Sequence, residues 1–274
     1  MDTDFNEYRD RYSTIRMERS DGILELTFHT DGGPLRWGKA AHSEFGHAFS
    51  EIGRDPENRV IIMTGTGEEF SGPRGSPETA MTATAIGWDD TLRHGMQLTN
   101  NLLAIEAVVI SCVNGPVQRH PEIPLLADIV LAAAEASFED SAHFVNRMTP
   151  GDGVNFVFPL LLGINRARYF LLTGQRLDAA RAQELGLVAE IHERGRLLPR
   201  ARELAAALRR QNPLVLRYTR MLLMHRLRRE AHDVIGYGLA LEGLGVVAET
   251  QEAFAQERVS APPEHGGGAS AARA

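Results

Sequence analysis

The chain has almost no lysine, one cysteine and no long apolar run, and each shortage narrows what it can do. Its 274 residues contain a single lysine, Lys39, so arginine carries nearly all of the positive charge. Lys and Arg total 29 against 36 Asp and Glu, a formal net charge of −7. A mildly acidic chain lacks the basic stripe that phosphate backbones or anionic surfaces require, so neither a nucleic-acid nor a membrane partner is expected. One cysteine, Cys112, excludes an internal disulfide and agrees with a reducing, cytoplasmic setting. It sits in the apolar run 108–113 and is expected to pack in the core. No stretch approaches the roughly 18 apolar residues of a membrane helix. The first residues, MDTDFNEYRDRYSTIRMERSDG, are charged where a secretory signal would be apolar. The 10 histidines form no HExxH and no Cys/His cluster, so no metal site is expected. Gly65-Thr-Gly67 runs into Glu-Glu-Phe and completes neither a dinucleotide fingerprint nor a P-loop. No G-x-S-x-G elbow occurs, and no cofactor is expected.

What the chain does contain is alternation of strand-like and helix-like segments. Residues 22–28 alternate apolar and other positions, which predicts a strand. Residues 38–54 place Ala41, Phe45, Ala48, Phe49 and Ile52 at helical spacing. Apolar runs at 59–64, 107–113 and 129–132 predict buried parallel strands, and 88–104 predicts a helix between two of them. After residue 154 the pattern is helical, over 154–173, 178–186, 196–211 and 213–256. The fold class is therefore α/β, with a core over 1–200 and a helical region over 201–258. The Pro/Gly/Ala-rich tail 259–274 is expected to be disordered. Ligands bind beyond the carboxyl ends of parallel strands, which here means loops 29–38, 65–77, 114–124 and 140–153.

Three histidines fall in or beside those loops. His42 opens the first long helix after Trp37, His120 lies in NGPVQRHPEIP, and His143 lies in SFEDSAHFVNRMTPGDG with Asp152 nine positions on. Each alone reads equally well as an ordinary structural histidine. Asp152 could be no more than a turn cap in Pro150-Gly151-Asp152-Gly153. Taken together at one end of one sheet, they point to chemistry. Imidazole abstracts protons near neutral pH, and a carboxylate on its other nitrogen fixes the tautomer. The arginines at 217, 220, 226, 228 and 229 predict a solvated or inter-subunit helix face.

Several motifs then resemble one family in order and spacing. RVIIMTGTGEEFSG, VVISCVNGPV, ADIVLAAAEASF, TPGDG and ARYFLLTGQRLDAARAQELGLVAEI are similar to the crotonase (enoyl-CoA hydratase/isomerase) superfamily over about residues 12–255. The resemblance implies a crotonase-like spiral of ββα units, a helical C-terminal trimerisation region, and an oxyanion hole of two backbone N–H groups. It also marks departures. The G-A-D loop of CoA-handling members is replaced by Gly72-Pro73-Arg74-Gly75, and their G-G-G run by Arg119-His120-Pro121. His143 stands where hydratases carry one catalytic glutamate, and Ile123 aligns with the other. LRWGKAAHSEF, NGPVQRHPEIP, HFVNRMTPGDG, GINRARYFLLTGQ and GLALEGL resemble the β-diketone hydrolases of the 6-oxocamphor hydrolase type. That narrower resemblance implies a CoA-independent retro-Claisen hydrolase acting on a small apolar diketone. It implies His143 and Asp152 as the base dyad, with Trp37, His42, His120 and Glu242 around the substrate and the N–H groups near Arg74 and His120 as oxyanion donors. A homotrimer or dimer of trimers follows by the same resemblance. Two other readings stay open: an acyl-CoA-processing crotonase using Asp152, and a non-catalytic trimeric scaffold.

Overall fold

The computed structural model describes residues 3–73 and 84–260. The end of the 65–77 loop from Arg74 on, the stretch from there to 83, and the tail beyond 260 lie outside the described residues. Six strands form the main sheet in the order β1-β2-β3-β4-β6-β9. They span Ile15–Ser20, Ile23–Phe28, Val60–Gly65, Val108–Val113, Ile129–Ala133 and Glu190–His192. Only the β1–β2 edge is antiparallel, and Val60 pairs with Val108 and Ile110 with Ile129 in the parallel centre. The central strands read as continuous Val/Ile runs because both faces are covered; β4 is buried at all its positions.

Each covering layer has its own apolar cluster. On one face, α2 (Lys39–Arg54) and α3 (Ala85–Ala104) pack Phe45, Phe49, Leu98 and Leu102 against Leu24, Ile61 and Val109. On the other face, α8 (Arg194–Arg209) sets Leu197, Ala201 and Ala205, four residues apart, on Ile62, Ile110 and Cys112. The boundary expected at 200/201 thus falls inside a helix whose buried stripe lies on the sheet. The Cys112 side chain is fully buried, and burial pushes its thiol up to about 12, as core packing requires.

A second, smaller layer positions the site. Strands β5 (Pro116–Val117), β7 (Ser137–Phe138) and β8 (Leu177–Asp178) form a three-stranded sheet. It is extended by bridges between Ser71 and Val117 and between Arg36 and Gly72. Four successive main-sheet strands therefore run out into this layer, at 36, 71, 117 and 138, before the chain turns back. These are the repeating units of the spiral. Asn114 and Gly115 lock one corner. The Asn114 amide donates to the Gly67 and Glu69 carbonyls, and a Cβ at Gly115 would lie 1.8 Å from the Glu68 oxygen.

The C-terminal half is helical, with two exceptions that periodicity missed. The helical stretch 154–173 is two helices, α5 (Val154–Leu162) and α6 (Ile164–Thr173), broken at Gly163 with φ +79°. Between them and α8 lie β8, α7 (Ala179–Glu184) and β9. The chain continues as one 48-residue helix, α9 (Pro213–Ser260). Arg220 is 1% exposed and donates to Asp128 at 2.6 Å, so it belongs to an internal ion pair rather than to the solvated face expected of that arginine set. Among the described residues no helix is long and apolar enough to cross a membrane.

Candidate active site

The loops that leave the small layer converge. Trp37 follows the bridge at Arg36, His120 follows β5, and Asp140 and His143 follow β7. Backbone bonds tie these loops side by side. Trp37 N–H donates to Gly72 O at 2.9 Å, Gln118 N–H to Ser71 O at 2.9 Å, and Glu139 N–H to Val117 O at 3.1 Å. The Ser141 hydroxyl donates to Gln118 O at 2.6 Å, and the Ser71 hydroxyl to Arg119 O at 2.5 Å. Residues far apart in sequence are held in register by main-chain bonds, as a reaction centre requires.

The helix α9 closes the site from outside the loops. Gly151 and Gly238 touch backbone to backbone; a Cβ on Gly151 would lie 2.2 Å from the Gly238 oxygen, and one on Gly238 2.4 Å from the Gly151 oxygen. Only glycine at both positions lets the 149–153 turn lie on the helix. One turn further along α9, Glu242 enters the cavity. Trp88 of α3 helps hold α9 there by donating its indole N–H to Leu239 O at 2.8 Å.

His143, Asp152, His120, His42 and Glu242 line one cavity together with Arg119, Met148, Leu98 and Leu239. Trp37 joins them at the edge, its ring 4.0 Å from that of His120 and 5.3 Å from that of His42. The structure therefore brings together every described residue singled out from the sequence. Arg74, the expected oxyanion donor, lies outside the described residues.

The bonding of His143 differs from the expected dyad. Its Nδ1 meets Asp140 Oδ1 at 2.8 Å, and the same oxygen accepts the backbone N–H of Ala142 and of His143 at 3.3 Å each. Asp140 is thus the carboxylate that fixes the tautomer. Asp152 Oδ2 lies at Nε2 instead, 3.4 Å away, and Glu242 Oε1 lies 3.4 Å from the same nitrogen. Sequence reasoning missed Asp140 because three residues before a histidine in Glu139-Asp140-Ser141-Ala142 it looks like an ordinary turn cap.

Asp152 also reaches a second imidazole. Its Oδ2 lies 3.1 Å from His120 Nδ1, which bonds Glu122 Oε1 at 2.8 Å. Glu122 is fully buried and was likewise missed; the alignment considered its neighbour Ile123. His120 has φ +51°, a backbone conformation that residues other than glycine rarely adopt, and it lines the cavity. Donor atoms of His120, Glu122 and Asp152 lie within 4.8 Å of one another, close enough in space for one cation, a grouping that chain spacing does not reveal. His120 Nδ1 and Glu122 Oε1, 2.8 Å apart, are within hydrogen-bond distance.

Charge is distributed unevenly. Burial pulls His143 down, but Asp152, Asp140 and Glu242 outweigh it and hold the imidazole well above its ordinary value. His120 is raised for the same reason, Glu122 and Asp152 overcoming burial. Asp152 resists its own burial because His143 and His120 face it, and it stays well below the usual carboxylate range. Burial raises Glu242, and burial with Asp152 raises Glu122 to about 7. His42 is the opposite case. Burial and then His120 lower it to about 3, so it is uncharged at neutral pH. Trp37 Nε1 and His42 Nδ1 are buried without a hydrogen-bond partner among the described residues. Buried polar atoms are normally bonded, so such groups mark a place for a ligand.

With this geometry in hand, the comparisons with known proteins are informative. The Enoyl-CoA hydratase/isomerase family profile matches residues 20–241. Carnitinyl-CoA dehydratase of Citrobacter koseri is 30% identical over 74% of this chain and 77% of its own length. A β-diketone hydrolase from the cyanobacterium Anabaena sp. PCC 7120, solved bound to (S)-3-oxocyclohexyl acetic acid, is 40% identical with TM-score 0.86, covering 89% of this chain and 98% of that one. An enoyl-CoA hydratase/isomerase of Mycobacterium paratuberculosis shares the fold at TM-score 0.77 with 21% identity, covering 90% and 99%. The chain is a member of the enoyl-CoA hydratase/isomerase family, the crotonase superfamily, and an enzyme of that fold.

Proposed function

We propose that this protein hydrolyses the carbon–carbon bond between the two carbonyls of a small cyclic β-diketone, without CoA. The observation that carries the reading is His143. It is buried, anchored at Nδ1 by Asp140, and lines one cavity with His42, whose Nδ1 has no partner among the described residues; Trp37, whose Nε1 is likewise unpartnered among them, packs against His120 and His42 at its edge. The likeness to the Anabaena β-diketone hydrolase supports it. So does the loss of both hydratase carboxylates, since His143 and Ile123 stand in their places.

The reaction adds water across one carbon–carbon bond. His143 Nε2 takes a proton from water, and the hydroxide oxygen bonds to one carbonyl carbon. The tetrahedral alkoxide collapses to a carboxylic acid, and the bond to the central carbon breaks. Its electron pair moves into the enolate of the second carbonyl, which then takes up a proton. General base help of this kind is worth about 10²–10⁴-fold. Trp37 and neutral His42 are suited to an uncharged carbonyl oxygen, because neither brings a charge that must be desolvated. Glu242, raised by burial, sits beside Nε2 where the attacking water would lie and can orient it. Each backbone donor to the alkoxide contributes about 3–4 kcal/mol; the His120 N–H and the one at Arg74 are the family's positions for it.

The deciding assay is loss of the enolate absorbance of cyclic 1,3-diketones, bicyclic and monocyclic, on adding the purified protein. Turnover with no heat of binding to CoA in calorimetry is the expected result. Tight CoA binding with no diketone loss would sink the reading in favour of thioester chemistry. Exposed Leu222, Leu223, Tyr237 and Leu244 along α9 support a homotrimer or a dimer of trimers, which light scattering can count.

A further inference from the structure

The cleavage needs a proton delivered to the enolate as well as one removed from water. His143 accounts for the second only. On the far side of Asp152 stands a second imidazole with its own carboxyl. Glu122 has no exposed surface, its Oε1 lies 2.8 Å from His120 Nδ1, and its Oε2 has no partner among the described residues. Room for it is made by Gly153, where a Cβ would lie 2.9 Å from Glu122 Cγ. Asp152 Oδ2 joins the two halves, 3.1 Å from His120 Nδ1 and 3.4 Å from His143 Nε2.

We propose that Glu122 supplies, through His120, the proton taken up by the departing enolate. The inference deepens the diketone reading and rests on it. The geometry allows the step in balance. One proton is shared between Glu122 Oε1 and His120 Nδ1, and in either position His120 Nε2 carries an N–H. When Nε2 gives that proton to the enolate, the shared proton settles on Nδ1 and Glu122 is left as the carboxylate. Once the products leave, the imidazolium at His143 gives its proton to water in the cavity and His120 Nε2 takes one from it, so the pair is restored with water as the only co-reactant. The groups facing the pair are Asp152 from the 149–153 turn, Arg119 from its own loop, Glu242 from α9 and the uncharged His42 from α2. Burial with Asp152 raises Glu122 to about 7, and Glu122 with Asp152 raises His120, so each group holds the proton they share more strongly than it would in water. Because Glu122 acts through His120, it is a positioning residue rather than one that touches substrate.

The test is Glu122→Gln in the full-length protein. Glutamine keeps the shape and a hydrogen bond to Nδ1 but holds no transferable proton. The expected result is a fall in kcat of about 10–100-fold with KM little changed, and a descending alkaline limb displaced to lower pH. Two-dimensional NMR of the histidines gives a readout independent of turnover: His120 should titrate at lower pH in the variant, since a neutral amide replaces the charge that raised it. Glu122→Asp, which keeps an acid, should recover part of the lost kcat. An active wild type whose Glu122→Gln variant retains kcat, alkaline limb and His120 titration would overturn the inference alone. Stoichiometric metal in the wild type that the variant loses would overturn it too. A wild type that cleaves no diketone would instead remove the parent reading and this one with it.

Discussion

The cavity has two unlike walls. One, built by Trp37 and His42 at the start of α2, is uncharged: His42 is lowered to about 3, and both residues keep a buried polar atom without a partner among the described residues. The other, built by the loops after β5 and β7 and by α9, holds Asp140, Asp152, Glu122 and Glu242 around His143 and His120. Burial pulls all three imidazoles down, so the contrast comes from the neighbours: those among carboxylates are raised, and the one whose nearest charged neighbour is another imidazole is lowered. In the proposed reaction the difference becomes a division of labour, one wall meeting carbonyl oxygens and the other moving protons.

Breaking the charged wall should have the largest effect. His143→Ala is expected to lower kcat by about 10²–10⁴-fold while the protein stays folded; turnover near that of the wild type would exclude His143 as the base. Next comes Asp152→Asn, with a loss of about 10²-fold and a second signature. Since His143 must be neutral to accept a proton and is held well above 6.5, the acid limb of kcat/KM should lie above that value. Asp152 is the chief carboxylate raising it, so in the Asn variant the limb should move to lower pH. A limb that stays in place would show that Asp152 does not face the base. Gly238→Ala probes the seam between the walls. Its Cβ meets the Gly151 oxygen at 2.4 Å, so about 1–3 kcal/mol of stability and part of the activity should be lost together, read by thermal melting and kcat. An unchanged melt would mean the turn yields freely. The smallest effect belongs to the neutral wall. Trp37→Phe removes one donor, worth about tenfold in kcat/KM, and should leave the acid limb where it was. A shifted limb would show the walls to be one electrostatic unit.

Much of this could be read from the chain, for identifiable reasons. The central strands announced themselves because burial on both faces leaves little but Val and Ile in β3 and β4. Strand β1, Ile-Arg-Met-Glu-Arg-Ser, did not, since an antiparallel edge exposes every second residue, and three-residue β9 is too short to show a period. Trp37, His42, His120, His143, Asp152 and Glu242 were legible through motifs, and the fold brings them together. Their connections were not. The orienting partner of His143 is Asp140 rather than Asp152, and Glu122 hid one position from the glutamate that the family places beside it. Acidic residues two or three positions from a histidine are common caps, and nothing in spacing says that a turn will curl the ring onto them. The positive φ of His120 was the decisive local fact, and no one-dimensional pattern carries it.

The glycine-to-glycine seam at 151 and 238 has a consequence in time. Glu242 reaches His143 only after α9 has docked on the 149–153 turn. During synthesis the first five strands of the main sheet, both imidazoles and Asp152 exist some ninety residues before that carboxyl is made. The ribosome therefore releases a scaffold whose proton-handling centre is the last thing assembled, and a nascent enzyme stays silent toward its substrate until nearly all of it has emerged.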